Sequence, residues 1–139
     1  TGDGDMASNL FAPRREALWR WRAVLMDGLR SGGPDLTSRQ LALLLSVYLV
    51  ERRWSVRALA SELGIGKPAV TRALDRLCGL GYLRRVKDQR DGRNVIVSRT
   101  VAGAVWLSDF GETVLRSAEG DAQSPASPIG EKEERKRLG

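Results

Sequence analysis

The feature that most constrains the fold is a run of thirty residues, 54–83, which reads WSVRALASELGIGKPAVTRALDRLCGLGYL. Ser55 suits the N-cap of a short helix, and Gly64 suits the positive-φ position that ends it. Pro68 suits the first turn of a second helix, where a missing N–H needs no acceptor. The expected buried positions of the two helices are Val56, Leu59, Ala60, Leu63, Val70, Ala73, Leu74 and Leu77. Helices of about eight and twelve residues joined by a short glycine-containing turn predict a helix-turn-helix.

The segment that follows, YLRRVKDQRDGRNVIVS, predicts a β-hairpin. Tyr82 and Leu83 begin one strand, and Val95 and Val97 alternate with polar residues on the returning strand. Asp-Gly between two such runs is a strong hairpin signal. A hairpin over about residues 84–98, directly after a helix-turn-helix, predicts a winged helix. The expected fold class is therefore mainly α with a small β-hairpin, a winged helix-turn-helix of the α+β kind.

Before this region the sequence predicts two longer helices. Residues 13–33 carry one apolar stripe of Leu18, Trp21, Leu25 and Leu29, and a second of Trp19, Ala23 and Met26. A helix with two apolar stripes buries more than one side, either in its own core or against a partner chain. We assign Trp19, Trp21 and Met26 to a candidate dimer interface. Residues 1–12 are expected to be flexible.

The second longer helix is predicted over LTSRQLALLLSVYLVERRW, which ends at Trp54. Thr37 and Gln40 have the spacing of a capping box. Its expected core stripe is Leu41, Leu44, Leu45 and Tyr48, with Leu43 and Val47 beside it.

We place the winged-helix domain at residues 34–119, and its last segment has more than one interpretation. Ser108 could cap a short C-terminal helix that runs to about Glu119, with Val114 and Leu115 facing the core. Residues 101–106, VAGAVW, could prolong the wing strand or start that helix early. Residues 120–139 contain two Ser-Pro steps and almost no large apolar side chains, which predicts a mobile tail.

The positive charge of the chain is concentrated in one segment. Residues 51–99 hold 12 Arg or Lys against 5 Asp or Glu, a net charge of +7, whereas the whole chain has +6. The remainder is therefore close to neutral, at −1. A concentrated basic segment is the electrostatic pattern expected of a protein that binds a polyanion.

Composition excludes several classes of function. The chain has no histidine, which removes the commonest general base and metal ligand, and one cysteine, which cannot form an internal disulfide. We expect no enzyme activity, no metal and no cofactor, and we expect Cys78 to be a small buried apolar residue. No apolar stretch approaches the roughly 18 residues of a membrane span, and no signal peptide is recognised. We therefore expect a cytoplasmic, nucleoid-associated protein with no membrane partner.

The candidate functional residues lie at the start of the second short helix. In a helix-turn-helix this helix enters the DNA major groove, and its N-terminal residues contact base edges. Lys67 suits guanine or a phosphate, Ala69 and Thr71 suit a thymine methyl, and Arg72 suits the guanine O6 and N7 atoms. Arg76, one turn on, suits a phosphate. The predicted recognition-helix residues are Lys67, Pro68, Ala69, Thr71, Arg72 and Arg76, and the alternative for each is an ordinary solvated helix face.

The tip of the hairpin contains a second set of candidate DNA-binding residues. Arg90 and Arg93 flank the tip, and a narrow minor groove attracts a guanidinium through its negative potential. Free carboxylates at Asp88 and Asp91 would oppose this attraction, so we expect Asp88 to pair with a nearby arginine and stiffen the tip. The wing set is Asp88, Arg90 and Arg93. The predicted phosphate contacts are Ser55, Arg57, Arg84, Arg85 and Lys87, with Arg52 and Arg53 as further candidates.

These motifs together resemble the MarR family of winged-helix transcription factors, from about Leu36 to Leu115. The similar segments are LTSRQLALLLSVY, VRALASELGIGKPAVTRALDRLCGLGYLRRV, DQRDGR and LSDFGETVL. The resemblance implies a homodimer on a pseudo-palindrome, with recognition helices in adjacent major grooves and wings in minor grooves. It implies Asp88 and Arg90 as the wing pair and residues 67–72 as the groove-facing turn. It also often implies repression that a small phenolic or lipophilic effector relieves.

Two differences from the family pattern bear on the dimer. Residues 101–106 are additional to the usual direct turn into the C-terminal helix, and that helix is expected to be short. We therefore expect dimerisation to depend mainly on the N-terminal helix.

The leading hypothesis is a sequence-specific, dimeric DNA-binding transcriptional regulator. The alternative, from another class, is a winged-helix protein-interaction module whose basic face binds an acidic partner.

Overall fold

The computed structural model describes residues 2–119, which contain six α-helices, one 3₁₀ turn and three short strands. In chain order these are α1 (Gly2–Phe11), a 3₁₀ turn (Ala12–Arg14), α2 (Arg15–Arg30), α3 (Ser38–Leu49), β1 (Trp54–Ser55), α4 (Val56–Leu63), α5 (Lys67–Gly79), β2 (Leu83–Lys87), β3 (Val95–Arg99) and α6 (Val101–Glu119). Residues 34–110 form one compact unit, and residues 2–33 with 111–119 belong to a second. The predicted tail at 120–139 lies outside the described residues.

The helix-turn-helix is confirmed as α4 and α5. The Ser55 hydroxyl accepts a hydrogen bond from the Ala58 N–H at 3.0 Å, which caps α4. Gly64 ends α4 at φ +65°, a left-handed conformation that favours glycine. Gly66 is the extended N-cap of α5, with Pro68 in the first turn. The local sequence therefore encodes both helix boundaries.

Helix α3 begins as predicted but ends earlier. Thr37 and Gln40 form both hydrogen bonds of the capping box. The helix stops at Leu49, not at Trp54, because the chain becomes extended at Val50. The predicted core stripe was rotated: the buried residues are Leu43, Leu44 and Val47, whereas Leu41, Leu45 and Tyr48 are half-buried.

Trp54 belongs to a strand that was not predicted from the sequence. Strand β1 pairs antiparallel with β3, and β3 pairs antiparallel with β2, so the sheet order is β1-β3-β2. Trp54 is opposite Val97 and is only 1% exposed. Its indole N–H donates to the Val50 carbonyl at 3.1 Å, and the Arg52 guanidinium lies 4.7 Å from the ring centre. A two-residue strand is too short for its alternation to be visible in the sequence.

One apolar core holds this unit together. Its buried members come from α3, β1, α4, α5 and both wing strands: Leu43, Leu44, Val47, Trp54, Leu59, Val70, Ala73, Leu74, Leu77, Leu83 and Val97. Burial of each of the Val and Leu side chains contributes about 1.5–3 kcal/mol. The core therefore fixes α5 and the base of the wing to the same scaffold.

Helix α6 resolves the alternatives for residues 101–106. These residues form the first turns of one continuous helix that runs to Glu119, so the C-terminal helix is not short. Its cap is at Thr100, not Ser108: the Thr100 hydroxyl accepts from the Gly103 N–H at 3.0 Å. The predicted core positions Val114 and Leu115 are wrong, since both are exposed. The cap thus lies eight residues before the expected one.

Tyr48 of α3 stabilises the start of α6 through hydrogen bonds. The Tyr48 hydroxyl donates to the Tyr82 carbonyl at 2.8 Å and accepts from the Thr100 N–H at 2.8 Å. The Arg99 guanidinium also donates to the Val47 carbonyl at 2.9 Å and pairs with Glu51. The end of β3 and the beginning of α6 are therefore held against α3.

In the second unit, a helix occupies most of the segment expected to be flexible. Helix α1 covers Gly2–Phe11, and its apolar side chains Met6, Leu10 and Phe11 are exposed. Its two glycines and the lack of a regular apolar stripe explain why no helix was predicted there. On α2, Asp27 accepts from the Thr113 hydroxyl at 2.9 Å and lies 3.8 Å from Arg116 of α6.

None of the helices in the described part combines the length and apolar character of a membrane span.

Candidate nucleic-acid interface

Helix α5 separates a buried face from an exposed one. Val70, Ala73, Leu74 and Leu77 are buried in the core. The residues predicted to enter a groove lie on the other side: Lys67, Pro68, Thr71 and Arg72 are exposed, and Ala69 is half-buried at the flank. Because both faces follow from the 3.6-residue helical period, the buried positions determine which side chains face solvent.

Arg76 lies at the edge of this face and points towards α3. Its guanidinium Nη2 is 3.4 Å from the Asp35 carbonyl oxygen, in the segment before α3. The side chain stays exposed, so a phosphate could still approach it. Its phosphate role stays a prediction.

The start of the recognition helix and the wing meet at one shallow depression. The residues that line it are Ser55, Val56, Arg57, Lys67, Arg93, Asn94 and Val95. Four of these were predicted independently, two as phosphate contacts (Ser55, Arg57), one on the recognition helix (Lys67) and one on the wing (Arg93). The N-terminal turns of α4 and α5 both contribute to it, and free N–H groups there favour anions. We call this set the basic depression.

The remaining predicted phosphate contacts do not form one surface. Successive side chains of a strand point to opposite faces. Arg84 therefore shares the outer face of the sheet with Val86, whereas Arg85 and Lys87 share the face of the buried Leu83. Arg85 contacts α5, where its guanidinium Nη2 is 2.7 Å from Asp75 Oδ1.

The two carboxylates of the wing tip, Asp88 and Asp91, both accept hydrogen bonds from nearby groups. Asp88 forms an ion pair with Arg53 and accepts from the Arg90 N–H at 2.9 Å. Asp91 accepts from the Arg93 N–H at 3.1 Å. The expected pairing of Asp88 with an arginine is thus confirmed, and the partner is Arg53. Both carboxylates accept local donors, while Arg90 and Arg93 are exposed.

The environment of Asp88 favours its charged form. The Arg90 backbone N–H, followed by the Arg53 guanidinium, lowers the pKa of Asp88 below its ordinary value. Hydrogen bonds and a nearby cation both stabilise a carboxylate. Asp88 therefore keeps its ion pair with Arg53 at neutral pH.

Two residues of this region were missed as contributors. Arg53, named only as a possible phosphate contact, holds the wing tip through Asp88, and Asp75 holds Arg85. The first contact spans 35 residues and depends on where β1 places Arg53, so no local pattern reveals it. The second follows from the spacing of α5 and β2 only once both elements are packed.

Cys78 lies half-buried against the core, at the end of α5. Burial raises the pKa of its thiol, which opposes the thiolate form that redox chemistry requires. Its packing role is the one the sequence predicted.

The candidate dimer residues lie on α2. Trp19 and Met26 are half-buried, and Trp21 is 53% exposed. The stripe that contains Trp21 has all its members exposed in the single chain, namely Leu18, Trp21, Leu25 and Leu29. Each side chain is large and apolar, so the stripe forms a continuous apolar strip along one helix.

Comparison with known proteins agrees with the fold. Residues 34–94 match the sequence model of the MarR family. Wild-type MarR from E. coli is 21% identical over 90% of each chain, with a TM-score of 0.61. YusO from Bacillus subtilis is 17% identical over 99% of this chain and 94% of its own, with a TM-score of 0.67. No curated protein shows significant sequence similarity.

A third similar structure contains nucleic acid. A mutant of S. aureus MepR bound to an oligodeoxyribonucleotide is 20% identical over 95% of this chain and 92% of its own, with a TM-score of 0.70. At 20% identity or so, the similarity to these solved structures shows a shared fold. The match to the family sequence model, over residues 34–94, covers the helix-turn-helix and most of the wing. Residues 34–94, which include the helix-turn-helix, are therefore similar to the MarR family, and the chain has the winged-helix fold of these solved structures.

Proposed function

We propose that the chain is a sequence-specific transcriptional regulator that binds double-stranded DNA as a homodimer. Helix α5 reads base edges in the major groove through Lys67, Thr71 and Arg72. The wing places Arg90 and Arg93 in the adjacent minor groove. Two such subunits read a pseudo-palindrome, and the regulator acts in the cytoplasm, on the nucleoid.

The main structural support for this proposal is the basic depression. Arg57 and Lys67 of the helix-turn-helix line it together with Arg93 of the wing. Arg57 and Arg93 are 36 residues apart in the sequence, so the fold is what brings them to the same surface. A surface that joins the first turns of two helices to a hairpin tip suits a phosphate backbone between two grooves.

The homodimer is supported by the apolar strip of α2. Leu18, Trp21, Leu25 and Leu29 expose large apolar side chains on one helix. Such a strip is stable in water when a second copy covers it, and closed two-fold dimers are the commonest arrangement. The half-buried Trp19 and Met26 lie beside it on α2.

The proposal is tested by binding measured at several salt concentrations. A duplex is first selected by the wild-type protein from a random-sequence pool, and a shuffled duplex serves as control. A dimer that neutralises about six to ten phosphates loses about a thousandfold or more in affinity between 50 and 200 mM salt. The selected duplex should bind at least about a thousandfold more tightly than the shuffled one.

The second candidate is a protein-interaction module that uses a basic face of the wing. The outer face of the sheet favours it, because Arg53 and Arg84 border the half-buried Ile96 and the exposed Val86. Such a module would bind the selected and the shuffled duplex equally and weakly. The same titration therefore separates the two functions.

A further inference from the structure

Asp75 is an acidic residue on the face of α5 that is proposed to meet DNA. It lies four residues after Thr71 and three after Arg72, and side chains at these spacings are neighbours on a helix. Its side chain is 64% exposed. A free carboxylate at this place would repel the phosphates that the surrounding cations attract.

The carboxylate is instead bound by an arginine of the wing. Arg85 Nη2 lies 2.7 Å from Asp75 Oδ1 and 3.5 Å from the Thr71 carbonyl oxygen. Arg85 is opposite Val97 in the sheet, on the face that packs towards the core, and 35% of its side chain remains exposed. One guanidinium thus joins the middle of α5 to strand β2.

This ion pair differs from the other contacts between α5 and the wing. Among the residues that the structure describes, the ion pair of Arg85 with Asp75 is the one salt bridge between α5 and the wing. The apolar contacts of Leu83 and Val97 fix the base of the wing to the core. The ion pair of Arg85 with Asp75 lies outside this core, where α5 and the wing are exposed to solvent.

We propose that Asp75 is a positioning and specificity-determining residue. It holds Arg85, and through Arg85 the wing, at a fixed setting relative to the recognition helix. It also withholds Arg85 from the phosphate backbone, where the guanidinium would strengthen binding to any sequence. Both effects favour the preferred duplex over others, and the inference rests on the DNA-binding function proposed above.

The test compares Asp75→Asn with the wild-type protein on the selected and the shuffled duplex. The amide keeps the size of the side chain but releases Arg85 from its ion pair. Release of one arginine to a phosphate raises affinity for the shuffled duplex by up to about tenfold per subunit at 0.1 M salt. Affinity for the selected duplex should not rise with it, so the ratio of the two affinities falls by about the same factor.

Two control variants make the result specific. Asp75→Glu keeps the charge and should retain the wild-type ratio. Glu62→Gln removes one negative charge from α4 and should leave the ratio unchanged. Circular dichroism melting of each variant verifies that the fold is intact, which is expected because Asp75 is exposed.

Two results would overturn the inference, and they differ from each other. If Asp75→Asn changes both affinities by the same factor, the carboxylate acts only as a charge and the positioning role is wrong. If the wild-type protein itself shows no preference for any duplex, the proposed function fails and this inference fails with it.

Discussion

At the scale of single residues, Gly103 lies so close to Tyr48 that a side chain at this position would have no room. Gly103 is buried in the first turn of α6, directly against the Tyr48 hydroxyl and the Tyr82 carbonyl oxygen. The hydroxyl is already bound to the Tyr82 carbonyl and the Thr100 N–H. The lack of a side chain at position 103 is therefore what allows α6 to begin where it does.

Replacement of this glycine should destabilise the protein although alanine is the better helix former. In Gly103→Ala the added Cβ collides with the Tyr48 hydroxyl and with backbone oxygen of Tyr82, which has little freedom to move. We expect a loss of about 1–3 kcal/mol in the free energy of unfolding, the range for overpacked sites. Urea unfolding monitored by tryptophan fluorescence measures it.

Gly111→Ala is the matched control in the same helix. A Cβ at Gly111 meets nothing within 4 Å. Removing a glycine from a helix interior should stabilise by about 0.5–1 kcal/mol. If the two variants shift stability in the same direction, the close packing of Tyr48 on α6 is contradicted.

Asp88 provides a prediction about pH. Its folded-state pKa is lowered by the Arg90 N–H and by Arg53. Because this value lies below the unfolded-state pKa of about 3.9, the carboxylate contributes stability above that pH. The contribution is lost as the pH falls through the folded-state pKa.

The measurement is the unfolding free energy of Asp88→Asn and of the wild-type protein from pH 7 to pH 3. The variant should be less stable at pH 7, and the difference should shrink towards zero in acid. Glu62→Gln reports the effect of removing an unrelated charge. If the difference in unfolding free energy between the two proteins stays constant over the whole pH range, the charge of Asp88 does not contribute to stability.

At the scale of elements, the sequence predicts best where one residue sets a backbone conformation. Local hydrogen bonds and φ preferences place the start of α3 (Thr37 with Gln40), both ends of α4 (Ser55, Gly64) and the start of α5 (Pro68). These signals act within four residues, so the sequence carries them directly. The whole helix-turn-helix could be predicted on this basis.

Strand β1, which was missed, and the start of α6, which was left open between two alternatives, both depend on contacts distant in sequence. Strand β1 exists because Trp54 pairs with Val97, 43 residues later. The start of α6 at Val101 depends on Thr100 and on Tyr48, 52 residues earlier. In the candidate site, α5 and the wing tip were predicted, whereas the partners Arg53 and Asp75 were missed for the same reason.

The recognition helix and the wing should respond differently to loss of an arginine. Arg72→Ala should weaken binding to the selected duplex by about 1–3 kcal/mol and relax base preference, since Arg72 is proposed to contact a base edge. Arg90→Ala should weaken binding to the selected and the shuffled duplex alike. Fluorescence anisotropy with both duplexes measures each variant, and Arg39→Ala on α3 is the control.

Either of two outcomes would reassign these residues. Equal losses on both duplexes for Arg72→Ala would indicate a phosphate contact. Unchanged affinity for Arg90→Ala would remove the wing from the interface, although Asp88 and Arg53 would still fold its tip.

At the scale of the whole molecule, the prediction concerns the assembly. Trp21 and Leu25 are each 53% exposed on the apolar strip of α2. A charge at either position should prevent a second copy from covering the strip, because burial of an unpaired carboxylate is strongly unfavourable. Trp21→Glu and Leu25→Glu should therefore be monomeric in sedimentation velocity, whereas the wild-type protein is a dimer.

Leu49→Glu is the control for this experiment. Leu49 is also large, apolar and exposed, but it ends α3 and lies outside the strip. This variant should remain dimeric. A monomeric wild-type protein, or a dimer that survives both α2 substitutions, would place the interface elsewhere.

The central claim is that one lobe presents α5 and the wing to the same duplex. Hydroxyl-radical and dimethyl-sulphate footprinting of the wild-type protein on its selected duplex tests this most directly. We expect two protected major-groove segments about one helical turn, or 10 base pairs, apart, with minor-groove protection beside each. A footprint that protects neither groove, or protects only one groove and is unchanged by Arg90→Ala, would contradict it.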